Sequence, residues 1–105
     1  MEYTFNRKFT IVGYKDNSYE NKKGNTVEQY ILNVLCEHEN YVGYYVRQIY
    51  ANKKVLGNLK LEDYFGMEVN AKCSYYKPLN RMYLEKVDTI CIDDKEVPFT
   101  ELGVE

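Results

Sequence analysis

The chain has 105 residues, of which 29 % are charged and 45 % hydrophobic, proportions typical of one folded domain and not of a disordered chain. It contains no apolar run near the ~20 residues that a membrane-spanning helix needs, and its N-terminus lacks the apolar segment of a signal peptide, so a cytoplasmic location without membrane association is expected. The odd number and wide spacing of Cys36, Cys73 and Cys91 favour reduced thiols over a disulfide framework.

Tyrosine is unusually frequent, with 12 residues against 4 Phe and no Trp. Its ring favours strands and can stack on a base or fill a protein interface. The net charge of −2 is unevenly distributed, because residues 93–105 carry one Lys against five acidic residues, whereas residues 1–92 carry 13 Lys and Arg against 11 Asp and Glu. The body is therefore only mildly basic, which is weak for a dedicated nucleic-acid binder.

Alternation of apolar and polar residues predicts a first strand over 5–14 and a second over 26–37, separated by a loop at 15–25. In the second strand Ile31 and Leu35 leave apolar surface on the face opposite the core, as in a barrel strand shared between two layers or in a dimer contact. The core-facing positions predicted for this strand are Tyr30, Leu32, Val34 and Cys36.

A third strand is predicted over 41–50, after a short turn at 38–40, with Gly43 marking a bulge or bend. If Val42 and Val46 face the core, Tyr44 shares their side and the opposite side faces solvent. The solvent-facing side chains would then be Tyr41, Tyr45 and Arg47.

The linker at 51–66 predicts one helical turn that ends at Gly66. A fourth strand over 67–76 alternates cleanly, and Pro78 and Asn80 mark a turn at 77–81. The fifth strand, 82–92, breaks its alternation at Glu85-Lys86, where a bulge is expected.

This order predicts an all-β domain over 1–92, an OB-like barrel of five strands with a short helical turn between strands 3 and 4. Another small antiparallel barrel or sandwich, for example an SH3-like one, has a compatible pattern. Residues 93–105 are predicted to form a flexible acidic tail.

Two runs resemble small OB-fold single-stranded-DNA-binding proteins of phages and mobile elements, such as the filamentous-phage gene V family. YENKKGNTVEQYILNVL (19–35) resembles their first hairpin, and LEDYFGMEVNAKCSYYKPLNRMYLEKVDTI (61–90) resembles their second half. The resemblance implies a homodimer that coats single-stranded DNA with tyrosines and basic residues, in phage or mobile-element replication inside a bacterial cell. DDKEVPF (93–99) resembles the acidic Pro-Phe tip through which bacterial single-strand binders recruit protein partners, although TELGVE follows it here.

Catalytic and metal-binding patterns are missing from the sequence, so an enzyme is not expected and neither is a cofactor or metal. His38 is the one histidine, and Cys36-x-His38 without a second ligand pair does not make a zinc site. A solvated turn residue is the interpretation favoured for His38. The chain also lacks a P-loop, G-x-S-x-G, H-E-x-x-H or Cys-x-x-Cys motif.

The three regions that flank the ligand face of an OB barrel each carry aromatic and basic residues, which predicts binding of single-stranded DNA or RNA. In the alternative, the same residues form a protein-interaction surface of a small phage or mobile-element protein that binds a host complex. With either function, the spare apolar residues Ile31, Leu35 and Ile49 predict a homodimer. The candidate nucleic-acid-binding residues are Tyr19, Lys22 and Lys23 from the first loop, Tyr41, Tyr45 and Arg47 from the third strand, and Tyr76, Lys77 and Arg81 from the last turn.

Overall fold

The computed structural model describes residues 4–103, and most of them lie in strands. The mostly-β prediction is confirmed, but the described residues form eight strands where five were predicted. The strands are β1 (Thr4–Asp16), β2 (Tyr19–Glu20), β3 (Thr26–Val27), β4 (Gln29–Glu37), β5 (Tyr44–Asn52), β6 (Glu68–Tyr76), β7 (Arg81–Ile92) and β8 (Lys95–Pro98). The helical segments are α1 (Lys53–Leu56) and three 3₁₀ turns at Leu61–Tyr64, Lys77–Leu79 and Phe99–Leu102.

Six strands form one sheet in the order β5-β4-β1-β6-β7-β8, and each neighbouring pair is antiparallel. β5 also pairs in parallel with β7, through Ile49–Met82, Tyr50–Tyr83 and Ala51–Leu84. The pairings β1-β4-β5-β7-β6 therefore return to β1. The short strands β2 and β3 make a separate hairpin in the connection between β1 and β4.

The core lies on one face of these five long strands. In β4 the predicted inward positions Leu32, Val34 and Cys36 are buried, and Tyr30 packs against the core. Period-two alternation explains this pattern, because successive side chains of a strand point to opposite faces. The buried cluster also takes Phe9 and Ile11 from β1, Val69, Ala71 and Cys73 from β6, and Met82, Leu84, Val87 and Ile90 from β7.

The face assignment predicted for β5 is wrong. Ile49 and Ala51 are buried, and Tyr45 packs against the core from the same side of the strand. Val46 is 69 % exposed and Tyr44 is 61 % exposed. The strand begins after Gly43, whose φ of 87° turns the chain, so alternation does not extend back to residue 41. Since Ile49 and Ile31 are both buried, neither is available for the predicted dimer contact.

The bulge predicted in the last long strand is confirmed. Lys72 pairs with Lys86 and Cys73 with Leu84, so Glu85 is an extra residue on β7. A second extra residue, Asp88, lies between the partners of Asn70 and Ala71. Each bulge changes the phase of the alternation, which explains why Leu84 and Val87 are both core residues although three positions separate them.

The connection between β5 and β6 contains the predicted helical turn, as the 3₁₀ segment Leu61–Tyr64 that precedes Gly66. It also contains α1, which the sequence did not predict. The side chain of Asn52 accepts a hydrogen bond from the backbone N–H of Lys54, and this capping contact begins the helix. Leu56 and Leu61 anchor the connection in the core.

An ion pair attaches the start of α1 to the end of β1, with Lys53 Nζ 2.6 Å from Asp16 Oδ2. The hydrogen bond from Lys53, helped by bonds from Ser18, lowers the pKa of Asp16 to about 2. A lowered folded-state pKa means that stability is present above the unfolded value of 3.8 and is lost as the pH falls toward 2.

We therefore expect stability to decline between about pH 4 and pH 2, with a smaller decline for Asp16→Asn than for the wild type over that window. Urea unfolding followed by circular dichroism at a series of pH values measures how the free energy of unfolding of each variant changes with pH. Asp63→Asn, which removes an exposed carboxylate outside this ion pair, is the matched control. An equal pH dependence of the free energy of unfolding for the wild type and Asp16→Asn would contradict the prediction.

Residues 95–102, predicted to belong to a flexible tail, are folded against the sheet. β8 pairs with β7 through residues from Thr89 to Ile92, and Phe99 and Leu102 pack against the core. The Phe of the tip-like segment is thus half-buried instead of free. The last two residues of the predicted tail, 104 and 105, lie outside the described residues. Across residues 4–103, no helix combines the length and apolarity needed to cross a membrane.

Candidate nucleic-acid interface

Two tyrosines and an arginine meet where β5 and β7 run in parallel. Tyr50 and Tyr83 are direct partners in that pairing, and their ring centroids lie 5.7 Å apart with the rings tilted by 49°. The guanidinium of Arg81 lies 4.5 Å from the centroid of the Tyr50 ring. Because Ile49 and Ala51 point into the core, Tyr50 between them must point to the outer surface.

These rings border an open groove of about 610 Å³. Four tyrosines line it: Tyr50, Tyr75, Tyr76 and Tyr83. Polar side chains from four strands complete the lining, together with Val55 and Leu84. The polar residues are Gln29, Asn52, Ser74 and Glu85. The groove thus combines several ring faces with hydrogen-bonding groups, which suits a flat polar ligand.

Arg81 is fixed in place by its tyrosine neighbours. A hydrogen bond with the Tyr83 hydroxyl raises the pKa of Arg81, and the hydroxyls of Tyr50 and Tyr19 add to the shift. Tyr19 belongs to the β2–β3 hairpin. No carboxylate is ion-paired with Arg81 within residues 4–103. Its charge is therefore available to an anionic ligand.

Arg47 lies on the core-facing side of β5 and contacts one of the groove tyrosines. Its guanidinium lies 5.8 Å from the centroid of the Tyr75 ring, and Tyr75 also lines the groove. Half-buried arginines of this kind pack their aliphatic stems on the core while the charged end reaches the surface.

The other predicted residues do not line the groove. Tyr41 and Tyr45 stack on each other with centroids 5.3 Å apart, and His38 meets both rings edge-on. Tyr45 precedes Tyr50 by five residues, about 16 Å along a strand, so these rings are not part of the groove. The exposed lysines Lys22 and Lys23 lie in the β2–β3 turn, and Lys77 follows Tyr76 in a 3₁₀ turn.

Comparison with protein-family models, curated proteins and solved structures finds no match to this chain. Its function must therefore be argued from the geometry of the groove.

Of the nine predicted binding residues, Tyr76 lines the groove, Arg81 lies against the ring of Tyr50 that borders it, and Arg47 lies near the ring of Tyr75. Tyr19 does not line the groove. The structure adds Tyr50, which the sequence had placed on the third strand but not in the site. The signal that identifies Tyr50 is its alternation with Ile49 and Ala51.

The cysteines carry no sign of nucleophilic chemistry. Burial raises the pKa of the Cys73 thiol to about 11 and also raises that of Cys36, while the guanidinium of Arg7 partly opposes both shifts. A buried thiol with a raised pKa is a weak nucleophile at neutral pH. Within residues 4–103, no group of three or more His, Cys, Asp or Glu side chains is placed to hold a metal ion.

Proposed function

We propose that this chain is an OB-type barrel that binds single-stranded nucleic acid, foremost single-stranded DNA, largely independently of sequence. The strand pairings support the barrel. Each of the five strands in the ring β1-β4-β5-β7-β6 has two neighbours, because the parallel β5–β7 pairing closes the ring. The α1 connection lies between β5 and β6, between the third and fourth of the long strands, as in the predicted OB layout.

The observation that carries the function is Arg81 held on the ring of Tyr50 beside Tyr83. Single-strand binders stack bases on aromatic rings and follow the phosphates with cations, and each stacked base contributes about 1–3 kcal/mol. The ring of Tyr76, which lines the same groove, is about half exposed and adds to the stacking surface.

The distribution of ion pairs supports a phosphate-binding role for the nearby cations. Lys53–Asp16 is the one ion pair between side chains of the described residues, so Arg47, Lys77 and Arg81 keep their charges for a ligand. The mild net charge of the body then matters less than the placement of these side chains beside the rings.

Oligo-dT should bind this protein with quenching of tyrosine fluorescence, and the affinity should fall as salt is added. If three cations neutralise phosphates, the plot of log affinity against log salt should have a slope of about −2. A fluorescence titration at two salt concentrations measures both quantities, with a free-tyrosine solution as the control for inner-filter effects. Unchanged fluorescence and an unshifted oligonucleotide at tens of micromolar protein would contradict the proposed function.

A protein-interaction role is the second candidate, and it is favoured by one observation. Tyr41, Val42, Tyr44 and Val46 all expose apolar surface near the start of β5, away from the groove. Such a patch is typical of a partner-binding surface. Stoichiometric capture of one protein that survives nuclease treatment, together with a failed oligonucleotide titration, would select this candidate. The homodimer stays a prediction, now resting on the exposed Val46 and Tyr44 in place of the buried Ile31 and Ile49.

A further inference from the structure

One carboxylate, that of Glu85, stands among the tyrosines that line the groove. A negative charge repels the phosphates of a nucleic acid, so it does not help to hold the backbone. In a site of this kind, a carboxylate has a clear use as an acceptor of hydrogen bonds from the bases themselves.

The backbone aims Glu85 into the groove. It is the extra residue of the β7 bulge, opposite the step from Lys72 to Cys73 on β6. Bulges reorient a side chain that regular alternation would point elsewhere, and they are frequent beside functional sites. Tyr83 precedes Glu85 by two residues and lines the same groove.

A buried hydroxyl fixes the orientation of the carboxylate. The Ser74 side chain donates a hydrogen bond to Glu85 Oε1 over 2.5 Å, and Ser74 is only 7 % exposed. The second oxygen, Oε2, has no hydrogen-bond partner within residues 4–103. One oxygen is thus anchored and the other is presented to the groove.

We propose that Glu85 Oε2 accepts a hydrogen bond from the exocyclic amino group of a stacked base, and so gives the groove a preference for amino-bearing bases, cytosine foremost, over thymine and uracil. Thymine and uracil carry a carbonyl oxygen where cytosine has its amino group, and this oxygen would face the carboxylate without a shared proton. This inference rests on the proposed function, because stacking must first bring a base into the groove.

Oligo-dC should bind the intact protein about tenfold more tightly than oligo-dU of the same length, as expected for one hydrogen bond to a charged acceptor. The measurement is a fluorescence titration at slightly alkaline pH, where cytosine stays unprotonated. An oligonucleotide of 2-pyrimidinone, which is cytosine without the amino group, should bind like oligo-dU. This comparison changes only the ligand, so it does not depend on how any variant folds.

Glu85→Gln keeps the side-chain size and an acceptor for Ser74 but removes the charge. With the single amide oxygen held by Ser74, the amide NH2 takes the place of Oε2 and can only donate, so the ratio of the dC and dU affinities should fall to about one or reverse in favour of oligo-dU. Glu68→Gln is the matched control. It removes the same charge at the other end of β6, eight residues from Tyr76, and should leave the ratio unchanged.

Equal affinity for oligo-dC and oligo-dU in the wild type, or a ratio that Glu85→Gln does not lower, would overturn this inference and leave the proposed function intact. Failure of every oligonucleotide to bind would overturn both. A tenfold ratio that depends on the amino group and on Glu85, but not on Glu68, is the result that supports it.

Discussion

Replacing Tyr50 by alanine should weaken the binding of oligo-dT by about 10- to 100-fold, the loss that corresponds to one stacked base. Under the proposed function the ring of Tyr50 has two roles in the groove. It would stack on a base, and it is the surface on which the Arg81 guanidinium lies at 4.5 Å. Truncation removes the face and also frees the arginine, so both stacking and phosphate contact should suffer. Anisotropy of a labelled oligonucleotide measures the change.

Tyr44→Ala is the matched control for this prediction. Tyr44 lies on the same outward side of β5 and is 61 % exposed, but it is six residues from Tyr50 and does not line the groove. Its truncation should change the affinity by less than about twofold, as expected for a surface residue without contact to the ligand. Equal losses for the two variants would mean that binding does not depend on the groove.

Arg81→Gln separates the electrostatic part of binding from stacking. Removing one cation that meets a phosphate should reduce the steepness of the salt dependence by about 1 in log–log slope. Tyr50→Ala should lower the affinity at every salt concentration. Circular dichroism of each variant confirms that the strands are retained before the affinities are compared.

Much of the strand layout could be predicted because alternation is a local property of a strand. β4 and β6 show this most clearly, since their inward positions from Leu32 to Cys36 and from Val69 to Cys73 are buried as expected. The bulge at Glu85 was predictable for the same reason, because an extra residue leaves a visible break in the alternation.

β5 could not be assigned in this way, because both of its sides carry apolar and aromatic residues. Val46 and Tyr44 on one side are as apolar as Tyr45 and Ile49 on the other, so the pattern does not show which side faces the core. An inward-facing Arg47 also contradicts the rule that charged residues are rarely buried. Arg47 is tolerated there because its guanidinium leaves the core and reaches the Tyr75 ring. The position of Ala51 in the core, which settles the side, becomes clear only once the strand is known to extend past residue 50.

The groove itself depends on a contact that no local pattern reveals. Tyr50 and Tyr83 are 33 positions apart in the chain and become neighbours through the parallel β5–β7 pairing. Sequence alone marked the turn at 77–81 as rich in aromatic and basic residues, and Tyr76 and Arg81 do flank the site.

Tyr45, predicted to bind nucleic acid, is expected to have a structural role instead. Because its ring packs on the core and on Tyr41, truncating it should reduce stability more than binding.

Ile49→Ala should destabilise the protein by about 3–4 kcal/mol, as expected for truncating a fully buried aliphatic side chain. Ile49 is 0 % exposed, and it faces Leu32 of β4 and Met82 of β7 in the two pairings of β5. The cavity would thus open at the position where the parallel pairing closes the ring of strands. A loss of this size is a large part of the total stability of a small domain.

Val46→Ala is the matched control for Ile49→Ala, because Val46 lies on the outer face of the same strand and is 69 % exposed. Its truncation should change the free energy of unfolding by less than about 1 kcal/mol, the range of strand propensity at exposed sites. Urea unfolding of both variants, with unchanged slopes, gives the two values directly. If Val46→Ala cost more stability than Ile49→Ala, Val46 would have to point inward and Tyr50 away from Tyr83 and Arg81. The groove would then lose the aromatic face on which the proposed binding of single strands rests.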